Sequence, residues 1–210
     1  MWAGPIRDIL PPVMGELSFQ SLVDLNQRHD EPERFLHILG VTHTALALAF
    51  IHGKDPDRAA AAALLHDSSK PLSPKELEAD LDRMGAALAD EDRPYPKIWH
   101  GIHAAAVARR NEDLSRSLGV ESLEEVARAV EVHTTADREM SPLAKLLFVA
   151  DAIEPGRAYA GVDELRRLAR TDLDAAFRGV LRRKIEHVRE KGGTLSPRAE
   201  RARIAFTNND

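Results

Sequence analysis

The sequence predicts an all-α protein with a single compact domain of about eight helices. Alanine, leucine, arginine and glutamate dominate the composition, and these residues favour helices. Aromatic residues contribute only 5%, and alternating β-branched residues never persist long enough to indicate a strand. With 210 residues, of which 43% are hydrophobic, the chain is long enough to bury one sizeable core.

Proline, glycine and capping residues predict where the first helices begin and end. Pro32 can open a long helix that ends at Gly53, since glycine is a common residue just past a helix C-terminus. Asp55 followed by Pro56 is typical of an N-cap with proline in the first turn. We expect this second helix to run to about Leu65.

Two capping boxes predict further helix starts. Ser73 with Glu76, and Ser122 with Glu125, have the spacing at which serine and glutamate satisfy each other's free backbone N–H groups. Other boundary signals lie at Ser141-Pro142, before Pro155-Gly156, and at Asp172, which can cap the last long helix. We expect exposed loops at residues 90–96 and 111–120.

Charge and cysteine content exclude several classes of function. The net charge is -5 and the pI about 6.0, so no global field attracts nucleic acid or acidic lipid, and a polyanionic substrate needs local cations. The absence of cysteine excludes disulfides, thiolate metal sites and cysteine nucleophiles. The N-terminus lacks the pattern of a secretory signal and the apolar runs are too short to span a bilayer, so we expect a cytoplasmic protein without membrane contact.

Histidine and aspartate occur at helix positions where a core would favour leucine. His37 lies among apolar neighbours, and Asp151 interrupts the apolar run 146–150, where an unpaired carboxylate is costly to bury. Gly40, one turn after His37, lacks side-chain bulk and should let another element approach. The six residues of this kind are His37, His66, Asp67, His100, His133 and Asp151.

A divalent cation can partner all six side chains together. Imidazole and carboxylate without thiolate suit iron, manganese, zinc, nickel or cobalt better than calcium. Six ligands are too many for a tetrahedral zinc site, which closes with four. The economical arrangement is a pair of metal ions about 3.5–4 Å apart that share one carboxylate.

The order of these residues resembles the six-ligand pattern of HD-domain phosphohydrolases, and within them the symmetrical bis(5'-nucleosyl)-tetraphosphatases, which split diadenosine tetraphosphate into two ADP. The resemblance covers roughly residues 32–202 and departs from the usual pattern at Ser68-Ser69 and at His103. We accordingly expect an HD-type domain over 32–202, an N-terminal segment 1–31 and a C-terminal tail 203–210. The matching stretches are residues 34–41, 63–67 with Lys70, His100-Gly101, 133–135, 148–157 and Ser196-Pro197-Arg198.

The resemblance implies a role for each ligand. His37, His66, Asp67 and Asp151 would hold one metal ion, and His100 and His133 would hold the other, with Asp67 as the bridge. A carboxylate suits a bridge because it has two oxygens, whereas an imidazole nitrogen presents one lone pair. Two divalent ions are thus the implied cofactors, iron first, with manganese, cobalt, nickel or zinc as alternatives.

The resemblance also implies a nucleotide substrate. Lys70, Arg138 and Arg157 are candidates to bind its phosphates, Lys70 and Arg157 as part of the catalytic machinery together with Asp67. His103 is a candidate near the metals, whereas His43 should face elsewhere, since six residues rotate it about 240° from His37.

Three other functions remain open at this stage. One is another HD-type hydrolase, such as a nucleotidase or cyclic-nucleotide phosphodiesterase. The second is an iron oxygenase, and the third is a non-catalytic, metal-stabilised binding module, which could associate with the ribosome. Retention of all six ligands argues against the module, since a structural site could lose one metal. The sequence leaves the oligomeric state open.

Overall fold

The computed structural model describes residues 32–207 and confirms the all-α prediction, because every regular element in that range is helical. The range contains ten α-helices rather than about eight, and a 3-10 turn at Pro96–Ile98. The expected N-terminal segment 1–31 lies outside the described residues, as do the last three. The helices are α1 Pro32–Ile51, α2 Pro56–Leu65, α3 Pro74–Arg83, α4 Trp99–Arg109, α5 Glu112–Leu118, α6 Val120–Val132, α7 Pro142–Ile153, α8 Val162–Ala169, α9 Leu173–Glu190 and α10 Pro197–Thr207.

Most of the predicted helix starts are confirmed. The Asp55 carboxylate accepts hydrogen bonds from the first turn of α2, and Ser73 and Glu76 form the predicted capping box at α3. Ser141 and Asp172 cap α7 and α9 through their side chains. Local hydrogen bonding to free backbone N–H groups therefore sets these starts.

The segment 111–120 was wrongly predicted as a loop, because it contains α5. The Asn111 side chain accepts from the Leu114 N–H at 3.0 Å, and Leu114 is buried in the main core. Gly119, with a φ of 78°, ends α5 and lets α6 begin at Val120. The N-cap predicted at Ser122 is thus three residues late, since the observed N-cap is Gly119. At the other end of the chain, α10 continues to Thr207, into the range assigned to a tail.

The core is organised around α7, which is buried at ten of its twelve positions. It packs against α1, α2, α6 and α9. Alanine fills five consecutive buried positions of α2, from Ala59 to Ala63, and these small side chains let α1, α6 and α7 approach α2 closely. The helices that carry the predicted ligands thus share one interior.

Among the described residues, α1 is the one helix long and apolar enough to cross a membrane by length and composition. The core helix of a soluble protein meets the same criteria. Ile38, Val41 and Ala45 of α1 are buried in the shared core, whereas Leu36 and Phe50 are exposed. The cytoplasmic location stays a prediction.

An ion-pair network connects α10 to the elements that precede His100 and His133. The Arg198 guanidinium donates to Asp92 (Nη2–Oδ2, 2.8 Å) and to Glu131 (Nη1–Oε1, 2.9 Å). Asp92 is fully buried and lies before the 3-10 turn that leads into α4, while Glu131 lies on α6. Arg198 therefore joins three separate parts of the chain.

We predict that Arg198→Met lowers the free energy of unfolding by about 3–5 kcal/mol, because it leaves the buried Asp92 charge without its partner. Arg203→Met is the matched control on the same helix. Arg203 pairs with Glu200 in a partly exposed i,i+3 contact, so its loss should destabilise the protein much less. Urea unfolding of both variants measures the difference. Equal losses would contradict a stabilising role for the Arg198 network.

Candidate metal centre

The six side chains predicted as ligands converge in the interior from five helices. His37 lies on α1 and Asp151 on α7, while His100 lies in the first turn of α4. His66 and His133 are the residues that follow the last residues of α2 and α6. The ligand atoms form two groups, each with its atoms within 4.8 Å of one another: His37, His66 and Asp151 in the first group, and Asp67, His100 and His133 in the second group.

Nitrogen atoms face each other in both groups. The Nε2 atoms of His37 and His66 are 3.3 Å apart, and Asp151 Oδ1 lies 3.4 Å from His37 Nε2. In the second group, the Nε2 atoms of His100 and His133 are 3.2 Å apart. Each group therefore presents two imidazole nitrogens and a carboxylate to a common point.

Asp67 lies between the two groups. Its Oδ1 is 3.3 Å from His100 Nε2 and 3.6 Å from His133 Nε2. Its Oδ2 is 3.8 Å from the Nε2 atoms of both His37 and His66. The carboxylate thus directs one oxygen toward each pair of imidazoles, as a bridging ligand must.

Hydrogen bonds at Nδ1 orient three of the four imidazoles. The Nδ1–H of His66 donates to the Ala63 carbonyl at 2.6 Å, and that of His133 donates to the Val130 carbonyl at 2.7 Å. Both carbonyls belong to the last turn of a helix, and that of Val130 also accepts a long hydrogen bond of 3.4 Å from the His133 backbone N–H. The Nδ1–H of His37 donates to Glu154 Oε1 at 3.2 Å. These bonds leave the Nε2 lone pairs directed at the centre.

The donor set fits divalent metal ions. Metal–nitrogen bonds of about 2.0–2.1 Å place two neighbouring ligand nitrogens about 2.9–3.4 Å apart, which matches the observed Nε2–Nε2 separations of 3.2 and 3.3 Å. Two unprotonated nitrogens at such a distance repel each other unless a cation or proton lies between them. Asp67 Oδ1 is also buried and has no hydrogen-bond partner among residues 32–207, which leaves it available as a ligand.

Protonation states favour metal binding at most of these positions. Burial lowers the pKa of His66 to about 4 and also lowers the pKa of His100, so both are neutral near pH 7. Burial opposes ionisation of Asp67, but the neighbouring histidines hold the pKa of its carboxyl below the ordinary value. The pKa of His37 is raised despite burial, through its hydrogen bond to Asp151, so a metal ion competes with a proton there.

Cationic side chains contact the carboxylates of both groups. Lys70 Nζ lies 2.7 Å from Asp67 Oδ2, and Arg157 Nη2 lies 2.7 Å from Asp151 Oδ1. Both side chains are partly exposed, so their charged ends can also reach a bound molecule. Arg138 lies on the surface, after α6, and is not among the residues that contact either group in the described part of the chain.

Sequence reasoning missed Lys184 and the function of Glu154. Lys184 Nζ lies 3.1 Å from Asp151 Oδ2, and nothing in the local sequence of α9 distinguishes it from other surface lysines. Glu154 accepts a hydrogen bond from His37. Its presence could have been inferred from Gly40, because the missing side chain of Gly40 leaves space for it. A Cβ atom on Gly40 would lie 2.7 Å from Glu154 Oε2. The expectation that Gly40 admits another element is therefore confirmed.

Ser69 and His103, which both depart from the family pattern, are in contact in the structure. His103 is buried, and its Nδ1 lies 2.8 Å from Ser69 Oγ, in the turn that follows Asp67. This contact packs α4 against that turn, and a larger residue at Ser69 would displace the imidazole. His43 is exposed, so the prediction that it faces elsewhere is confirmed.

We predict that paired substitutions will separate the two groups. His37→Ala with His66→Ala removes two ligands from the first group and should leave about one metal ion per chain, whereas His37→Ala with His133→Ala disrupts both groups and should leave about none. His43→Ala is the control. Elemental analysis of dialysed protein measures the ion content. Equal ion content in the two double variants would contradict independent groups.

Comparison with known proteins gives a consistent family assignment. Residues 34–156 match the HD domain family. The chain is 37% identical over 146 residues to a symmetrical bis(5'-nucleosyl)-tetraphosphatase of Bacillus subtilis (strain 168), covering 69% of this chain and 73% of the relative. It is 31% identical to the enzyme of the same name from Halalkalibacterium halodurans, covering 83% of this chain and 89% of the relative.

A solved structure has the same fold. A protein of Clostridium acetobutylicum, described as a predicted HD superfamily hydrolase involved in NAD metabolism, superimposes with a TM-score of 0.82 at 33% identity. The superposition covers 93% of this chain and 100% of the other. The family match spans more than half of the chain and includes all six predicted ligands. The chain therefore belongs to the HD domain family of metal-dependent hydrolases.

Proposed function

We propose that the protein hydrolyses diadenosine tetraphosphate symmetrically into two ADP, at a centre of two divalent metal ions. The observation that carries the proposal is the position of Asp67, whose two carboxylate oxygens face different imidazole pairs. The names of the relatives from Bacillus subtilis and Halalkalibacterium halodurans support the choice of substrate, since the chain spans most of their length.

The ligand assignment follows the two groups. His37, His66 and Asp151 would hold one ion and His100 with His133 the other, with Asp67 shared between them. Iron is the ion that we propose, and the same nitrogen and oxygen donors accept manganese, cobalt, nickel or zinc. When bound, such ions supply Lewis acidity and lower the pKa of coordinated water.

Glu154 would act on the centre through His37. Its carboxylate accepts the Nδ1–H of His37 and also accepts the Gly156 N–H at 2.5 Å. The second bond fixes the carboxylate at the end of α7, next to the turn that carries Arg157. Glu154 thereby selects the tautomer of His37 whose Nε2 is free to bind a metal.

Three cations would bind the phosphates of the substrate. Lys70, Arg157 and Lys184 pair with the carboxylates of Asp67 and Asp151. If metal ions take up those carboxylate charges, the cations become available to the phosphate oxygens, and the fork of Arg157 can hold two of them. Arg138 lies farther out on the surface, and its contact with the phosphates of the substrate stays a prediction.

A cavity of about 450 Å³ provides space for one half of the substrate. Asp151, Arg157, Arg183 and Lys184 line it together with Tyr159, so cationic and aromatic groups lie next to a proposed metal ligand. In the reaction, the oxygen of water bonds to one inner phosphorus and the bridging oxygen leaves with the other. Two ADP molecules result, with two protons released when both products are fully ionised. The side chains must therefore hold an inner phosphorus about 3–3.5 Å from the attacking oxygen.

We predict that the purified holoenzyme converts diadenosine tetraphosphate into ADP alone, because the cations fix the phosphate chain in one register relative to the centre. Chromatography of the products measures this. The variant with both His37→Ala and His133→Ala, assayed in parallel, controls for contaminating hydrolases and should release no ADP.

Two outcomes would contradict the proposal in different ways. Equal amounts of ATP and AMP would reject symmetrical cleavage but leave the metal centre in place. No cleavage of the dinucleotide, together with rapid turnover of a mononucleotide or a cyclic nucleotide, would assign the protein to another class of HD-type hydrolase.

A further inference from the structure

A second and larger cavity lies next to the first. Its volume is about 590 Å³. Side chains of Tyr95, Leu181, Ile185, Val188 and Leu195 give it predominantly apolar walls, and Lys97 and Lys191 add positive charge. Apolar walls with a few polar and charged groups are typical of sites for small organic ligands.

The two cavities share a wall that touches the metal centre. Thr134, Lys184, His187 and Val188 line both cavities. Thr134 Oγ1 lies 3.2 Å from Nε2 of His133, in the second group. Lys184 Nζ lies 3.1 Å from Oδ2 of Asp151, in the first group. A molecule that extends from one cavity into the other would therefore pass beside both groups.

We propose that the second cavity binds the second nucleoside of the dinucleotide substrate. This inference rests on the proposed function. A symmetrical substrate has two identical halves, and attack at the middle of its phosphate chain requires one nucleoside on each side of the attacked bond. The cavity beside Arg157 accepts one half, and the larger cavity accepts the other.

The walls of the second cavity suit a purine nucleotide. The Tyr95 hydroxyl donates to the Leu195 carbonyl at 3.2 Å, which fixes the aromatic ring at the cavity wall, where a base can pack against it. Lys97 and Lys191 are exposed and lie on the cavity lining. Their charges complement the phosphates next to the base, whereas the net charge of the whole protein is negative.

A smaller cavity of about 360 Å³ competes for this role. Lys70, Leu72, Leu77, Lys97 and His100 line it, so it also reaches the centre. The second cavity is larger and has the aromatic wall, and for these reasons we assign the nucleoside to it. The small cavity lies beside Lys70 and suits a phosphate.

The test counts the ADP molecules that the holoenzyme binds and measures the KM for diadenosine tetraphosphate. Thr194 lines the second cavity and is exposed, so Thr194→Trp can fill the cavity without disturbing the core. Wild-type protein should bind two ADP per chain, and Thr194→Trp should bind one and show a KM raised about tenfold, the size expected for the loss of one stacked base.

Two further variants test the role of the aromatic ring and the specificity of the effect. Tyr95→Leu removes the ring but keeps an apolar side chain, and it should raise the KM in the same direction. Thr171→Trp, at an exposed turn outside both cavities, is the matched control and should bind two ADP with an unchanged KM.

Different results would contradict the second nucleoside site and the proposed function. Cleavage of the dinucleotide by wild-type protein that binds only one ADP would overturn the inference alone. Unchanged ADP binding and KM in both Thr194→Trp and Tyr95→Leu would also overturn it, as would a selective loss in Leu72→Trp of the smaller cavity. No cleavage by wild-type protein would overturn the function and the inference together.

Discussion

The charge of Asp67 is the constraint on which the interior of this protein depends. Its side chain is 2% exposed and lies among four imidazoles, and a buried carboxylate is costly unless it is fully partnered. Lys70 donates a hydrogen bond to one oxygen, while the other has no hydrogen-bond donor in the described part of the chain. Metal ions between this carboxylate and the two imidazole pairs would satisfy both oxygens and explain why so many polar groups meet inside an alanine-rich helical core.

The contacts between the helices place these ligands together. Two of the histidines lie directly after helices, where carbonyls of the last turn accept their Nδ1–H groups. The five consecutive alanines of α2 allow close packing, so that His66 and Asp67 reach the interior. Arg198 joins the segment before α4 to α6 through Asp92 and Glu131. His100 lies in the first turn of α4, and His133 directly follows α6. Fold stability and ligand placement thus share the same contacts.

The sequence allowed the fold class to be predicted, and the six polar positions that it singled out lie together in the structure, because polar residues in apolar helices are costly without a shared partner. Gly40 likewise predicted a close approach, although its partner Glu154 became evident only in the structure. Lys184 could not be predicted, since it reaches Asp151 from 33 residues away in sequence and only tertiary packing brings them together. The helix α5 was missed because its start depends on one asparagine cap and one buried leucine, signals too weak to distinguish a short helix from a loop.

The most direct test of the account compares the metal content of Asp67→Ala with that of Asp151→Ala. Both variants remove one buried carboxylate, but Asp67 alone directs its oxygens to both imidazole pairs, whereas Asp151 belongs to the first group. Elemental analysis, with circular dichroism to verify helix content, should find about no bound ion in Asp67→Ala and about one per chain in Asp151→Ala. Two ions per chain in Asp67→Ala, or the same loss in both variants, would contradict a shared carboxylate at the centre.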